Sequence, residues 1–288
     1  MKRLIILLIV LLGIWFFFWT KKGDVIKNTA LTYVLPVSNI NEAGTNIISR
    51  LKIPEGFKRD TAVAGSFQNY IQEYPLKVYG SKVINYDGKP YLYQQGHVGV
   101  LEVSVPSNGL QQCADALIRL RADYLWNTNR KKEIGFKFTS GHYCSWKKYS
   151  EGFRPKVDGN KVSFHKTASV NNSKENFYNY LNLMYTYAGT QSLFAELPSI
   201  DKISELKIGD MLIKPGFPGH VVMIADIIQN ESGERLFALI QGNTPAQSVH
   251  LLKNPKNTSV SPWFTLKVGA PLQIPTYYFE EARFMRFL

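Results

Sequence analysis

The apolar run over residues 4–19, preceded by Lys2 and Arg3 and followed by Lys21 and Lys22, constrains this chain more than any other feature. At a rise of 1.5 Å per residue such a run makes a helix of roughly 25 Å, slightly short of a ~30 Å hydrocarbon core, and snorkelling Lys and Arg side chains cover the difference. A cleaved signal peptide is the competing reading. Its apolar stretch is usually shorter, however, and here the run ends Trp15-Phe16-Phe17-Phe18-Trp19, where a peptidase needs small residues. The segment therefore predicts a retained signal anchor over 1–22, a single transmembrane helix. Lys2, Arg3 and the α-amino group of Met1 favour a cytoplasmic N-terminus. Either reading exports the remaining residues to the periplasm or cell surface.

The rest of the chain has the composition of a globular protein. In the whole sequence 45% of residues are apolar, 13% aromatic and 19% charged, enough to fill a core. Residues 23–60, mixed in Asn, Thr, Pro and Gly, read as a tether that becomes a domain edge. With no low-complexity linker or fixed-period repeat, residues 61–288 read as one domain. The formal charge of +12 suits anionic head groups or acidic wall polymers, but the Lys and Arg residues are scattered and make no nucleic-acid motif. No nucleic-acid partner and no cofactor are expected.

Local patterns predict a short helix over 65–74 ended by Pro75, an Asp87-Gly88 turn and a strand over 98–105. The strongest helix runs over 110–126, rich in Ala, Leu and Arg without internal Gly or Pro. Asn171-Asn172-Ser173 caps a helix running to about 187, closed by Ala188-Gly189, and a short helix follows over 192–197. Strands are expected over 210–214, 220–227 and 235–241, joined by short loops into an antiparallel meander. Helices first and a sheet later is an α+β order.

Three residues attract a chemical reading together: Cys113 opening the strongest helix, His220 opening a strand, and Gln241 ending the next. Backbone N–H groups and the macrodipole at a helix N-terminus stabilise a thiolate, and a histidine within reach takes and returns its proton. Gln241 could hold the imidazole tautomer, and the Cys113 N–H with Gln112 could hold a developing oxyanion. Leu117, Leu120 and Tyr124 share the face of Cys113 at 100° per residue, which equally suits a small core thiol. Asp115 counts against activation, because a carboxylate in the first turn raises a nearby thiol's pKa. A disulfide between Cys113 and Cys144, the only two cysteines, is the third reading.

The order Gly209-Asp210 on one strand and Gly219-His220 on the next resembles the second half of NlpC-type cell-wall peptidases of the papain-like superfamily. That resemblance implies a papain-like α+β fold, with His220 as general base and the third polar group, Gln241, on the following strand. The separation of 107 positions from Cys113 to His220 exceeds the spacing of compact members and implies an insertion. A second resemblance covers most of the exported part. The run Leu110-Gln111-Gln112-Cys113-Ala114-Asp115-Ala116 with Arg119 to Trp126, then Tyr187-Ala188-Gly189-Thr190, Pro218-Gly219-His220, Pro245-Ala246-Gln247 and Ser261-Pro262-Trp263, looks like the bacterial family called domain of unknown function 4846. Many members look like exported lipoproteins. This chain lacks a lipid-accepting cysteine behind its apolar run, which implies a proteinaceous anchor. The resemblance also implies a recurring Cys113 without a recurring partner at Cys144, against the disulfide.

Other candidates are weaker. His142 and Cys144 have no second ligand pair at zinc spacing, so no metal is expected. His250 could enter the cleft if Gln241 does not. Arg119 and Arg121 diverge by about 200° around their helix and read as surface salt bridges. The resulting expectation is a thiol amidohydrolase or peptidase acting on an amide of the cell envelope, such as wall peptide, with a catalytically silent envelope-binding module on the same fold as the alternative.

Overall fold

The computed structural model describes residues 2–34 and 36–288. Met1, whose α-amino group entered the orientation argument, lies outside the described residues. The N-terminal run is one helix, Lys2–Trp19, and residues such as Leu4, Ile6, Trp15 and Trp19 are exposed on it. Among the described residues no helix is long and apolar enough to cross a membrane. The segment expected to be an irregular tether is more ordered than its composition suggests. Helix Lys21–Val34 follows at once, and Thr29 Oγ1 donates to the Pro275 carbonyl at 2.8 Å, docking the helix on the C-terminal part. Ile40, Ile47 and Leu51 are buried in the main core.

The architecture is α+β. Among the described residues, eight strands form one sheet in the order His97–Val100, His250–Leu252, Arg235–Gln241, His220–Asn230, Met211–Lys214, Phe284–Met285 and Ser199–Ile200, with Phe57–Arg59 on the far end of His220–Asn230. All these pairings are antiparallel. The expected meander is present, and its middle strand extends to Asn230. That strand is buried on both faces over most of its length, which explains its run of Val, Ile and Met in place of a polar alternation.

Helix Cys113–Asn127 packs across the two longest strands of this sheet, His220–Asn230 and Arg235–Gln241. Its first thirteen residues are all buried, including Leu117 and Leu120 at 0% exposure. Helix Lys174–Tyr187 starts where the sequence indicates, with Ser173 Oγ accepting from the Asn176 N–H at 3.1 Å. Helix Phe67–Gln72 is likewise capped by Ser66, and Thr190–Glu196 is the short helix before Pro198.

The two arginines expected on the surface are instead buried, at 6% and 8% exposure. Arg119 Nε donates to Asp123 Oδ2 at 2.6 Å and Nη1 to Gln111 Oε1 at 3.1 Å, while its guanidinium lies 4.7 Å from the Tyr178 ring centroid. Arg121 lies over Phe67 and donates to the Leu288 carbonyl. A planar, weakly hydrated guanidinium under aromatic rings tolerates burial far better than a lysine would.

Candidate active site

Strand register brings the polar residues together. Gln241 pairs directly with His250, and Ile240 pairs with Met223, which makes Gln241 a diagonal neighbour of His220 on the same face. The side chains form a continuous chain of hydrogen bonds. His220 Nε2 lies 2.8 Å from Gln241 Oε1, Gln241 Nε2 lies 3.1 Å from His250 Nε2, and His250 Nδ1 lies 2.9 Å from the Ser248 carbonyl.

The polarity of that chain follows from its last member. A backbone carbonyl only accepts, so His250 carries its proton on Nδ1 and presents a lone pair at Nε2. Gln241 must then donate its NH2 to His250 and turn its oxygen to His220. The proton of neutral His220 is thereby on Nε2, and Nδ1 is left with the lone pair of a base. His250, expected in the cleft only in Gln241's absence, stands behind Gln241 and sets its orientation.

Cys113 is the first residue of its helix and lines the same cleft as His220, a space of about 560 Å³ walled by residues 185–190, 216–219 and Tyr277. The backbone N–H groups of Ala114, of Val221 and of Cys113 itself act on the sulfur in the direction that favours a thiolate. These amides are outweighed. Burial pushes the thiol up to about 11, and the Asp115 carboxylate adds to the rise. The helix terminus thus does not dominate the thiol, and the opposing effect foreseen for Asp115 operates. His220 is packed against Tyr277, with ring centroids 4.6 Å apart, and burial lowers its imidazole to about 4 despite the favourable Gln241 bond. Both cleft groups therefore rest neutral, one a thiol and the other an imidazole.

Gln112 is the helix N-cap residue, and its side chain reaches the loop after Gln241: Thr244 Oγ1 donates to Gln112 Oε1 at 2.9 Å. Its N–H donates to Asp115 Oδ2 at 3.0 Å. Cys144 is buried in strand Tyr143–Ser145, and both cysteines are free thiols, so the disulfide reading is overturned.

Two glycines let the parts approach. Gly242 follows Gln241, and a Cβ there would lie 2.8 Å from Ala116 Cβ and 3.0 Å from the Gln112 carbonyl oxygen, pressing on the turn that carries Cys113. A Cβ on Gly219 would overlap Thr190 Oγ1 across the cleft. Gly242→Ala is expected to cost about 1–3 kcal/mol of stability, because backbone and a helix methyl must give way. Denaturant unfolding checks it, and an unchanged midpoint would mean the helix is free to shift.

No curated protein and no solved structure matches this chain. A family model does match, over residues 47–286, a span that takes in Cys113, His220, Gln241 and His250 together with every strand of the main sheet. The chain therefore belongs to the family described as domain of unknown function (4846).

Proposed function

We propose that the cleft is the active site of a thiol amidohydrolase or peptidase of papain-like type, acting on an amide bond in the cell envelope. The observation that supports this most is the polarised chain Ser248–His250–Gln241–His220, which leaves a basic imidazole nitrogen in the cleft that also holds the Cys113 thiol. His220 takes the thiol proton as the sulfur attacks the amide carbonyl, the Cys113 N–H and the Gln112 NH2 hold the oxyanion, and the same proton goes to the leaving amine. The C–N bond breaks, a thioester remains on Cys113, and water deprotonated by His220 hydrolyses it. The starting pair is neutral, so the proton moves during attack and not before it.

The exposed apolar helix Lys2–Trp19, about 27 Å long, supports a membrane tether for this activity, with the cleft outside the cytoplasm. Retention of the full chain in carbonate-washed membranes, and its loss on deleting residues 2–19, is the corresponding result; equal retention of both forms contradicts the tether.

A second reading, a catalytically silent binder of an envelope component, draws on one observation: burial moves the thiol and the imidazole away from each other's pKa and so away from an ion pair. Amine release from envelope peptides separates the two. The enzyme reading expects release by the wild type and none by Cys113→Ala, and equal rates for both would sink it.

A further inference from the structure

Asp115 occupies the third position of the Cys113 helix, is 6% exposed and lines the same cleft as Cys113 and His220. Only one of its oxygens is used. Oδ2 accepts from the Gln112 N–H, whereas Oδ1 is fully buried and has no hydrogen-bond partner among the described residues. A buried carboxylate oxygen without a donor is costly, and such atoms in native proteins usually mark a place that something else fills. The surroundings say what kind of group that is. The chain carries a formal charge of +12, yet no Lys or Arg lines this cleft, and Asp115 is its one acidic side chain among the described residues. Tyr185, Tyr187, Phe217 and Tyr277 line the same cleft, and aromatic rings favour cations. An anionic ligand would find no cationic side chain to hold it here despite the basic surface outside.

We propose that Asp115 Oδ1 is the recognition point for a cationic amine of the ligand, so that the cleft takes peptides bearing an ammonium group beside the amide to be cleaved. This deepens the amidohydrolase reading and rests on the cleft being its substrate site. The Cα atoms of residues two apart on a helix lie about 5 Å from each other. The amine therefore belongs within one or two residues of the scissile bond, at ~3.5 Å per residue of extended chain. Burial holds the Asp115 carboxyl up at about 8 in the empty cleft, and a bound ammonium offsets that burden.

The test is binding to the full-length Cys113→Ala chain, which separates recognition from turnover. Three probes are compared by calorimetry: Ala-Ala-Ala-amide, its N-acetylated form, and N-acetyl-Ala-Lys-Ala-amide. The proposal expects the free-amine tripeptide or the lysine peptide to bind at least tenfold more tightly than the acetylated one, and which of them does so identifies the amine as terminal or side-chain. Asp115→Asn in the same background, which keeps an acceptor for the Gln112 N–H, should erase the preference. Equal binding of all three, no binding of any at millimolar concentration, or a preference that survives Asp115→Asn overturns it. Because the probe comparison on the Cys113→Ala chain needs no Asp115 variant, poor folding of Asp115→Asn leaves the test intact. An amine preference without any hydrolysis by the Cys113 form would sink the catalytic reading alone.

Discussion

His220→Ala is expected to reduce amide hydrolysis by about 10²–10⁴-fold, the usual contribution of a positioned acid–base group, while leaving most of the stability in place. The effect should be large because Nδ1 of this ring is the basic nitrogen that the relay through Gln241 and His250 leaves over. Gln241→Leu should act in the same direction and more weakly, since it frees the tautomer without removing the base. The pH profile carries a sign that can be worked out. Burial lowers His220 to about 4, so its base form persists on acidification well below the ordinary histidine range, and the rate should fall near pH 4 and not near 6.5. Stability behaves differently. His97, His220 and His250 all have lowered values in the folded chain, about 3, 4 and 4, so the unfolded chain binds more protons as pH drops below about 6.5. Stability is complete above that pH and is lost progressively toward 4. Rates need to be read alongside a thermal melt at each pH. A rate limb at 6.5 without any loss of fold would contradict the buried, neutral His220.

The second large effect concerns the sheet beneath the site. Asp226 is fully buried in strand His220–Asn230, where Oδ2 accepts from Arg59 Nε at 2.7 Å and Oδ1 from Gln72 Nε2 at 2.7 Å. It thereby ties the first strand and the helix Phe67–Gln72 to the longest strand. Asp226→Ala leaves Nε of the mostly buried Arg59 without its acceptor and the Gln72 amide with only the longer bond to the Asp60 carbonyl. A loss of about 3–5 kcal/mol is expected, equivalent to a fall in Tm on the order of 10 °C for a chain this long. Replacing the pair together, Asp226→Leu with Arg59→Met, should recover much of it, because the cost lies in the stranded charge. A single-variant loss below about 1 kcal/mol would show that water reaches Arg59 readily.

The sequence made some of this readable and concealed the rest for identifiable reasons. Helix Cys113–Asn127 was legible because Ala, Leu and Arg without breakers favour a helix, and Ser173 marked its helix through ordinary capping. His220 and Gln241 could be suspected together because each sits at the end of a strand whose short loop fixes its neighbour. The role of His250 was not legible. Its pairing with Gln241 depends on how the 242–249 loop returns, and periodicity is silent on that. Burial of Arg119 and Arg121 was hidden because their ring partners Tyr178 and Phe67 lie far off in the chain. The unpaired oxygen of Asp115 was equally out of reach, since a first-turn carboxylate reads as a cap whether or not its second oxygen is free.

Catalysis by this cleft requires that the Cys113 sulfur become acylated. The most direct measurement is the intact mass of the full-length chain, acid-quenched within seconds of mixing with a peptide amide substrate. The expected result is a mass increase equal to the acyl group, mapping to Cys113, absent from Cys113→Ala and slow to appear in His220→Ala. Undiminished amine release from Cys113→Ala, with no adduct on the wild type, would contradict it.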